Sequence, residues 1–231
     1  MSLDEFLQEV NDLQVMVYKH IPLFDTAQTC QWTKEQRQHF VKVFYHTRGH
    51  FDRLLWTRLV HAPSAEAKKR LLQYMAEEAG LPDLYGDQNL NSHEILFSRF
   101  AESLGVELTP ELTEEDGYLP FAREFNNGLV RWFRTHDWES GVVGFSAYER
   151  LDNVDYGFMY DLVGSLNVAE RALEFFVVHK QADHFEKTSG ELPEIWSRDP
   201  TTVREAFDFI YSHQQKMWRR LSETVFNYRT E

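Results

Sequence analysis

The sequence predicts an all-α fold, and three observations lead to that prediction. Apolar residues recur every three or four positions along most of the 231 residues, which is the period of helices with one buried face. Ser, Thr, Pro and Gly stand where such helices would start and stop. No run alternates apolar and polar residues as a half-buried strand would. With 42% hydrophobic and 15% aromatic residues, the chain predicts one helical domain over residues 1–231.

Each predicted helix has its own boundary signals. The opening segment MSLDEFLQEVNDL is acidic and amphipathic, and the second helix starts with a capping box of Thr33 and Gln36. Gly80 and Gly105 end the next two helices, and Thr202 with Glu205 forms a second capping box before the last one. After the opening segment, the predicted helices span residues 32–60, 64–79, 92–104, 120–136, 140–151, 156–165, 167–187 and 202–227.

Composition excludes several classes of function. A formal charge of -13 argues against binding to nucleic acid or to an anionic membrane surface, since both require clustered Lys and Arg. No apolar run is long enough to span a bilayer, and the acidic start is unlike a signal peptide, so we expect a cytoplasmic protein. The single cysteine, Cys30, allows neither an internal disulfide nor a site of several thiolates. No HExxH, GxSxG, GxxxxGK[ST] or GxGxxG motif occurs, which leaves hydrolase and nucleotide-binding functions without a motif.

Ionisable residues interrupt the apolar face of the helix that contains FFVVHKQADHFEK. At about 100° per residue, Ala172, Phe176, His179, Asp183 and Glu186 fall on one stripe, so three ionisable residues continue an apolar face. His184 falls off this stripe, and we expect it to face solvent or lie at a helix boundary.

Three other helices each add one ionisable residue to an apolar face. Glu78 follows Leu71 and Met75 in RLLQYMAEEAG. His93 begins the face that continues through Leu96, Phe97, Phe100 and Leu104, and Glu149 follows Val142 and Phe145.

Four carboxylates on buried faces need compensating charge, because a buried unpaired carboxylate costs several kcal/mol. Glu78, Glu149, Asp183 and Glu186 would balance the charge of two Fe(II) ions, and the set of imidazole and carboxylate ligands suits iron or manganese. We therefore predict a dinuclear non-haem iron centre.

Simpler explanations exist for each of these residues. A histidine on an apolar face is most often a hydrogen-bonded core residue, Glu149 could pair with an arginine, and Asp183 and Glu186 could mark a helix reaching solvent. His46 and His50 have the spacing of a helical metal pair, but they share a face with His39 and Arg53, so we expect a solvated face there.

The order of these motifs resembles a known family. AEEAG, SHEILFSRFAESLG, AYERL and FFVVHKQAD follow one another as in the haem-oxygenase-like di-iron oxidases, which include the Chlamydia protein associating with death domains. More distant relatives are the TenA and pyrroloquinoline quinone synthase families.

The resemblance implies a compact haem-oxygenase-like bundle of about seven main helices that encloses two irons. Manganese could occupy one or both sites, and no haem is expected. The family's ligands match Glu78, His93, Glu149, His179 and Asp183, whereas Glu186 stands where a histidine is usual. It also implies a small organic substrate and dioxygen, with room for an external electron donor and a homodimer. Tyr148 and Phe176 are candidates for the wall of the substrate pocket, and no catalytic residue beyond the metal ligands is indicated.

Two alternatives to the oxidase stay open. A TenA-like enzyme would need a nucleophilic cysteine on a late helix, and Cys30 lies near the N-terminus instead. A helical scaffold that kept the fold and lost the metal would bind no iron at all.

Overall fold

The computed structural model describes residues 1–49, 51–79, 92–181 and 184–228, and these form helices and connecting turns. Short 3-10 turns occupy Pro22–Phe24, Glu115–Gly117 and Glu170–Ala172. The α-helices are α1 Leu3–Tyr18, α2 Thr26–Thr29, α3 Lys34–Arg48, α4 Phe51–His61, α5 Ala65–Glu78, α6 His93–Ser103, α7 Pro110–Thr113, α8 Pro120–Thr135, α9 Trp138–Ser165, α10 Glu174–Gln181, α11 His184–Thr188, α12 Leu192–Arg198 and α13 Pro200–Phe226.

The long helix α9 lies at the centre of the fold. It packs against α13, α10, α11 and α1, and every residue from Gly141 to Glu149 is buried. Gly144 permits the close approach of α8, since a Cβ at that position would collide with the Trp132 ring. One large cluster of buried hydrophobic residues includes members from Phe6 to Val225 of the described chain, and a smaller one contains Ala62, Ala67 and Leu71.

Several predicted helix boundaries are confirmed. Thr33 and Gln36 form both hydrogen bonds of the capping box at the start of α3. Ser64 and Ser92 cap α5 and α6 by accepting hydrogen bonds from backbone amides. Gly105 follows α6 with a φ of 73°, in the left-handed region that glycine adopts without strain.

Other boundaries were predicted wrongly. Residues 140–151 and 156–165 belong to one helix, α9, because the polar residues between them turn inward rather than forming a loop. The predicted helix 32–60 is divided into α3 and α4, and Gly49, the C-cap residue of α3, lies against the Tyr118 ring. The cap of α13 is Asp199, so Thr202 lies within the helix.

The predicted helix 167–187 is also divided. Its described parts are the 3-10 turn Glu170–Ala172, then α10 and then α11. The bundle therefore contains more helical segments in its described residues than the seven main helices predicted. None of the described helices combines the length and the apolar character required to cross a bilayer.

Candidate metal centre

Helices α3, α5, α9, α10 and α11 enclose a small cavity with ionisable walls. Its volume is about 10 Å³, which is roughly the room that one water molecule needs. The charged and imidazole side chains that line it are Arg48, Glu78, Glu149, Asp152, His179 and His184. Three of these, Glu78, Glu149 and His179, are predicted metal ligands, so the structure brings residues from three separate helices to one place.

Glu78 and His93 meet where α5 ends and α6 begins. His93 Nδ1 lies 2.5 Å from Glu78 Oε2, and the two side chains are 18% and 12% exposed. The contact lacks the geometry of a hydrogen bond, since Nδ1 of His93 is buried and has no hydrogen-bond partner among the described residues. The His93 ring also lies against His179, with ring centroids 4.3 Å apart. His93 therefore joins the same cluster from the side of α6.

Glu149 is the most deeply buried of the predicted carboxylates that the structure describes. It is 3% exposed, and its Oε1 accepts a hydrogen bond of 2.9 Å from the Tyr74 hydroxyl. Burial raises the pKa of Glu149 well above its usual value, and the negative charges of Asp152 and Glu78 raise it further. The side chain is held by Tyr74 of α5; Glu149 forms no ion pair with an arginine among the described residues, although the charge of Arg48 opposes the rise in its pKa.

His179 is oriented by its own helix. Its Nδ1 lies 2.6 Å from the Phe175 carbonyl one turn earlier, and its ring stacks on Tyr156 at a centroid distance of 4.2 Å. Burial lowers the pKa of His179 well below its usual value, so the imidazole is neutral. If Nδ1 carries the proton, Nε2 is the nitrogen with a free lone pair, which is the arrangement of a metal-binding histidine.

The prediction missed two acids on α9, the half-buried Asp152 and the buried Asp155. Asp152, one turn after Glu149, lines the cavity, and burial raises its pKa to about 6 while the charge of Arg48 opposes this shift. Asp155 accepts hydrogen bonds from Gln14 and from Trp218 Nε1, the latter at 2.8 Å. The signal for Asp152 was present in the sequence, since it lies three residues after Glu149 on nearly the same face, but ending the predicted helix at residue 151 hid it. Asp155 lies about 120° around the helix from Glu149 and faces α1 and α13 instead.

The structure reverses two predictions at the end of the histidine motif. Glu186, predicted to face the interior, is exposed, and its negative charge acts on Arg150. His184, predicted to lie off the interior face, lines the cavity, with its ring 5.2 Å from Tyr74. In α11 the buried residue is Phe185, so Glu186 after it faces solvent, while His184 before it lies against Tyr74. Asp183 lies outside the described residues.

Four further expectations concern core side chains and histidines. Neither Tyr148 nor Phe176, the candidates for the substrate pocket, is among the residues that line the cavity, and both are buried in the core. The solvated face predicted around His46 is wrong, because His46 is buried and its Nδ1 accepts a hydrogen bond from the Leu119 amide. His213 is half-buried and stacks on Phe125. His50 lies outside the described residues.

The donor chemistry of the cluster fits iron or manganese, but the atoms are not gathered around one point. No group of three or more His, Cys, Asp or Glu side chains in the described chain has the arrangement of an ion site. Glu149 is instead bonded to Tyr74, and Glu78 contacts His93. The fit lies in the buried Glu149 carboxylate with its raised pKa, in the contact between Glu78 and His93, and in the unpartnered Nδ1 of His184. Cations would compensate this negative charge.

The part of the chain that contains this cluster matches the model of a known family. The model of a family described as iron-containing redox enzymes matches residues 38–185. The match includes Glu78, His93, Glu149 and His179, and it ends before Glu186. A search of curated proteins returned no match.

Solved structures share the fold over nearly the whole chain. A domain of unknown function with a haem oxygenase-like fold from Shewanella denitrificans aligns with a TM-score of 0.70 and 16% identity, covering 96% of this chain and 92% of that one. A CADD-like protein of unknown function from Nostoc punctiforme aligns with a TM-score of 0.69 and 14% identity, covering 99% and 98%. At these identities the likeness establishes the fold, which is haem-oxygenase-like and all-α as predicted.

Proposed function

Because this chain belongs to the family of iron-containing redox enzymes, we propose that it is a non-haem di-iron oxidase or oxygenase that uses dioxygen to oxidise a small organic substrate. One observation carries the proposal. Glu78, Glu149 and His179, with His93 beside them, converge on one buried cavity although they come from four helices.

The ligands would come from the walls of that cavity. Glu78, His93, Glu149 and His179 are the proposed ligands, and His184 takes the place that the sequence suggested for Glu186. Asp183 is kept as a sixth ligand from the sequence. Iron bound there supplies the capacity to activate dioxygen and to accept electrons from a substrate, and manganese is the alternative ion.

The surrounding residues fix and shield these ligands. The Tyr74 hydroxyl holds Glu149, and the Phe175 carbonyl orients the ring of His179. Arg48 contacts the Tyr156 hydroxyl and supplies a positive charge next to Asp152. The aromatic rings of Phe175 and Tyr156 cover the His179 side and exclude water from it.

Electron counting requires a further partner. Reduction of one dioxygen to two waters takes four electrons, and a two-electron oxidation of the substrate supplies two of them. We propose that an external donor supplies the other two.

Metal analysis tests this function directly. Protein loaded anaerobically with Fe(II) should hold close to two irons per chain, and His179→Ala should hold clearly less. His213→Ala is the matched control, since His213 is also a partly buried, stacked histidine on a helix but does not line the cavity. If His179→Ala retains as much iron as the parent protein, the ligand assignment is wrong.

A metal-free scaffold is the second candidate, and one observation favours it. The described residues hold no gathered group of three ligating side chains. A parent protein that binds neither iron nor manganese after anaerobic loading would establish this alternative. A TenA-like reaction has no support, because Cys30 is exposed and its thiol bonds to the Ala27 carbonyl, away from the cavity.

A further inference from the structure

A second, larger concavity adjoins the candidate metal centre. It is a groove of about 560 Å³, within the range of small-molecule sites. Its apolar wall comes from Leu71, Val142 and Phe145. Tyr74 lines both the groove and the metal cavity, and its hydroxyl donates a hydrogen bond to Glu149. A molecule bound in this groove would therefore contact Tyr74, the residue whose hydroxyl holds the proposed metal ligand Glu149.

Arg58 is a buried cation in the wall of this groove. Its side chain is only 6% exposed, and its Nε has no hydrogen-bond partner among the described residues. The polar contact that its guanidinium makes is a long one of 3.4 Å from Nη1 to the Trp138 carbonyl. Burial lowers the pKa of Arg58 to about 10, which expresses the cost of an incompletely compensated charge.

The fold holds this guanidinium in a prepared position. Its Cζ lies 4.2 Å from the centroid of the Trp138 ring, close enough for a cation-π contact. A Cβ on Gly141 would collide with Nη1, so the absence of a side chain at Gly141 makes room for the charge. Stacking and close packing fix the plane of the guanidinium, while its buried Nε has no acceptor among the described residues.

The other cations of the groove already have carboxylate partners. Lys187 pairs with Glu77 at 2.6 Å, and Arg70 pairs with Glu191 at 3.0 Å. The charge of Glu191 also acts on Arg58, but this carboxylate bonds to Arg70. Among the cations that line the groove in the described chain, Arg58 alone is buried without a salt bridge.

We propose that this groove binds a monocarboxylic acid with an apolar body, whose carboxylate pairs with Arg58 and whose body lies along Leu71 and Phe145 toward Tyr74. The proposal deepens the proposed function, and it rests on it, because the bound acid is taken to be the molecule that the metal centre oxidises. A planar guanidinium matches a carboxylate in geometry and charge, and the pair removes the unfavourable burial of Arg58.

A purely structural role for Arg58 makes a different prediction. If Arg58 only links α4 to the first turn of α9 through Trp138, the groove has no preference for acids. The test must therefore measure selectivity and not stability alone.

The experiment compares an acid with its neutral analogue on the full chain. Binding of 4-phenylbutanoate and of 4-phenylbutanamide is measured by isothermal titration calorimetry with EDTA present, so that no metal can hold the carboxylate. We expect the acid to bind about ten-fold more tightly than the amide, as a hydrogen-bonded charge pair typically provides. Arg58→Met should abolish this preference and leave the affinity for the amide similar.

Two further variants make the result specific. Arg70→Met is the matched control, since it removes an arginine from the same groove that is already paired, and it should keep most of the preference. Gly141→Ala should reduce the preference for the acid by displacing the guanidinium without removing its charge. If Arg58→Met does not fold, the result with Gly141→Ala tests the role of Arg58 instead. Equal affinities in the parent protein, no binding of the acid, or an unchanged preference in Arg58→Met would overturn the proposal.

The outcomes separate this inference from the proposed function. Acid binding in a protein that takes up no iron would support the groove assignment and remove the oxidase. Iron binding without a preference for the acid would support the metal centre and overturn the groove assignment.

Discussion

Substitution of Glu149 by Gln should have opposite effects on stability with and without metal. Glu149 is 3% exposed, and burial together with the charges of Asp152 and Glu78 raises its pKa. Gln has nearly the same shape and can still accept the hydrogen bond from Tyr74, but it carries no charge. In EDTA we therefore expect Glu149→Gln to be at least as stable as the parent protein, because a repulsion among buried acids is removed.

With metal bound, the variant should instead be less stable than the parent protein. An ion that binds only the folded protein adds about 2.7 kcal/mol at a hundredfold excess over Kd, which raises the Tm of a chain of this size by roughly 5 to 11 °C. If loss of a carboxylate ligand weakens binding about a hundredfold, the same metal concentration adds only about 0.4 kcal/mol, or roughly 1 °C. The variant should thus melt below the parent protein when Mn(II) is present.

Thermal melts followed by circular dichroism, in EDTA and in excess Mn(II), measure both effects. Asp161→Asn is the matched control, since Asp161 is an exposed acid on the same helix and its substitution should leave the response to Mn(II) unchanged. The reasoning is refuted if Glu149→Gln gains as much from Mn(II) as the parent protein does.

Two further predictions concern histidines that the structure reassigned. His184→Ala should lower the iron content measured by mass spectrometry, whereas Glu186→Ala should leave it unchanged. The reason is that His184 lines the cavity and Glu186 does not. The opposite result would return Glu186 to the ligand set. Burial lowers the pKa of His46 to about 4, below its value in the unfolded chain, so its contribution to stability is complete above about pH 6.5 and is lost as the pH falls toward 4. Urea unfolding at several pH values should show a smaller loss in His46→Gln than in the parent protein, and equal losses would contradict this assignment.

The sequence alone determined the helical class and the residues that interrupt apolar faces within a single helix. Thr33, Ser64 and Ser92 mark helix starts through local hydrogen bonds, which depend only on residues three positions away. The inward positions of Glu149 and His179 follow from counting turns within α9 and α10. Such features are local, so they can be read before the fold is known.

Only the tertiary structure decided where helices continue or end. The polar stretch from Asp152 to Asp155 resembles a loop, yet packing against α1 and α13 keeps it helical and gives Asp155 hydrogen-bond partners from Gln14 and Trp218. Packing also decided the roles of His184 and Glu186, since His184 lies against Tyr74 at the cavity whereas Glu186 is exposed.

The groove around Arg58 depends on contacts between residues far apart in the chain. The sequence shows an arginine in a helix with no sign of burial, and it shows Gly141 about eighty positions later with no sign of a partner. The fold places both Gly141 and the Trp138 ring, from the start of α9, against the guanidinium of α4. The residue types were in the sequence, but the burial of the charge arises from the packing of distant helices, which no local pattern records.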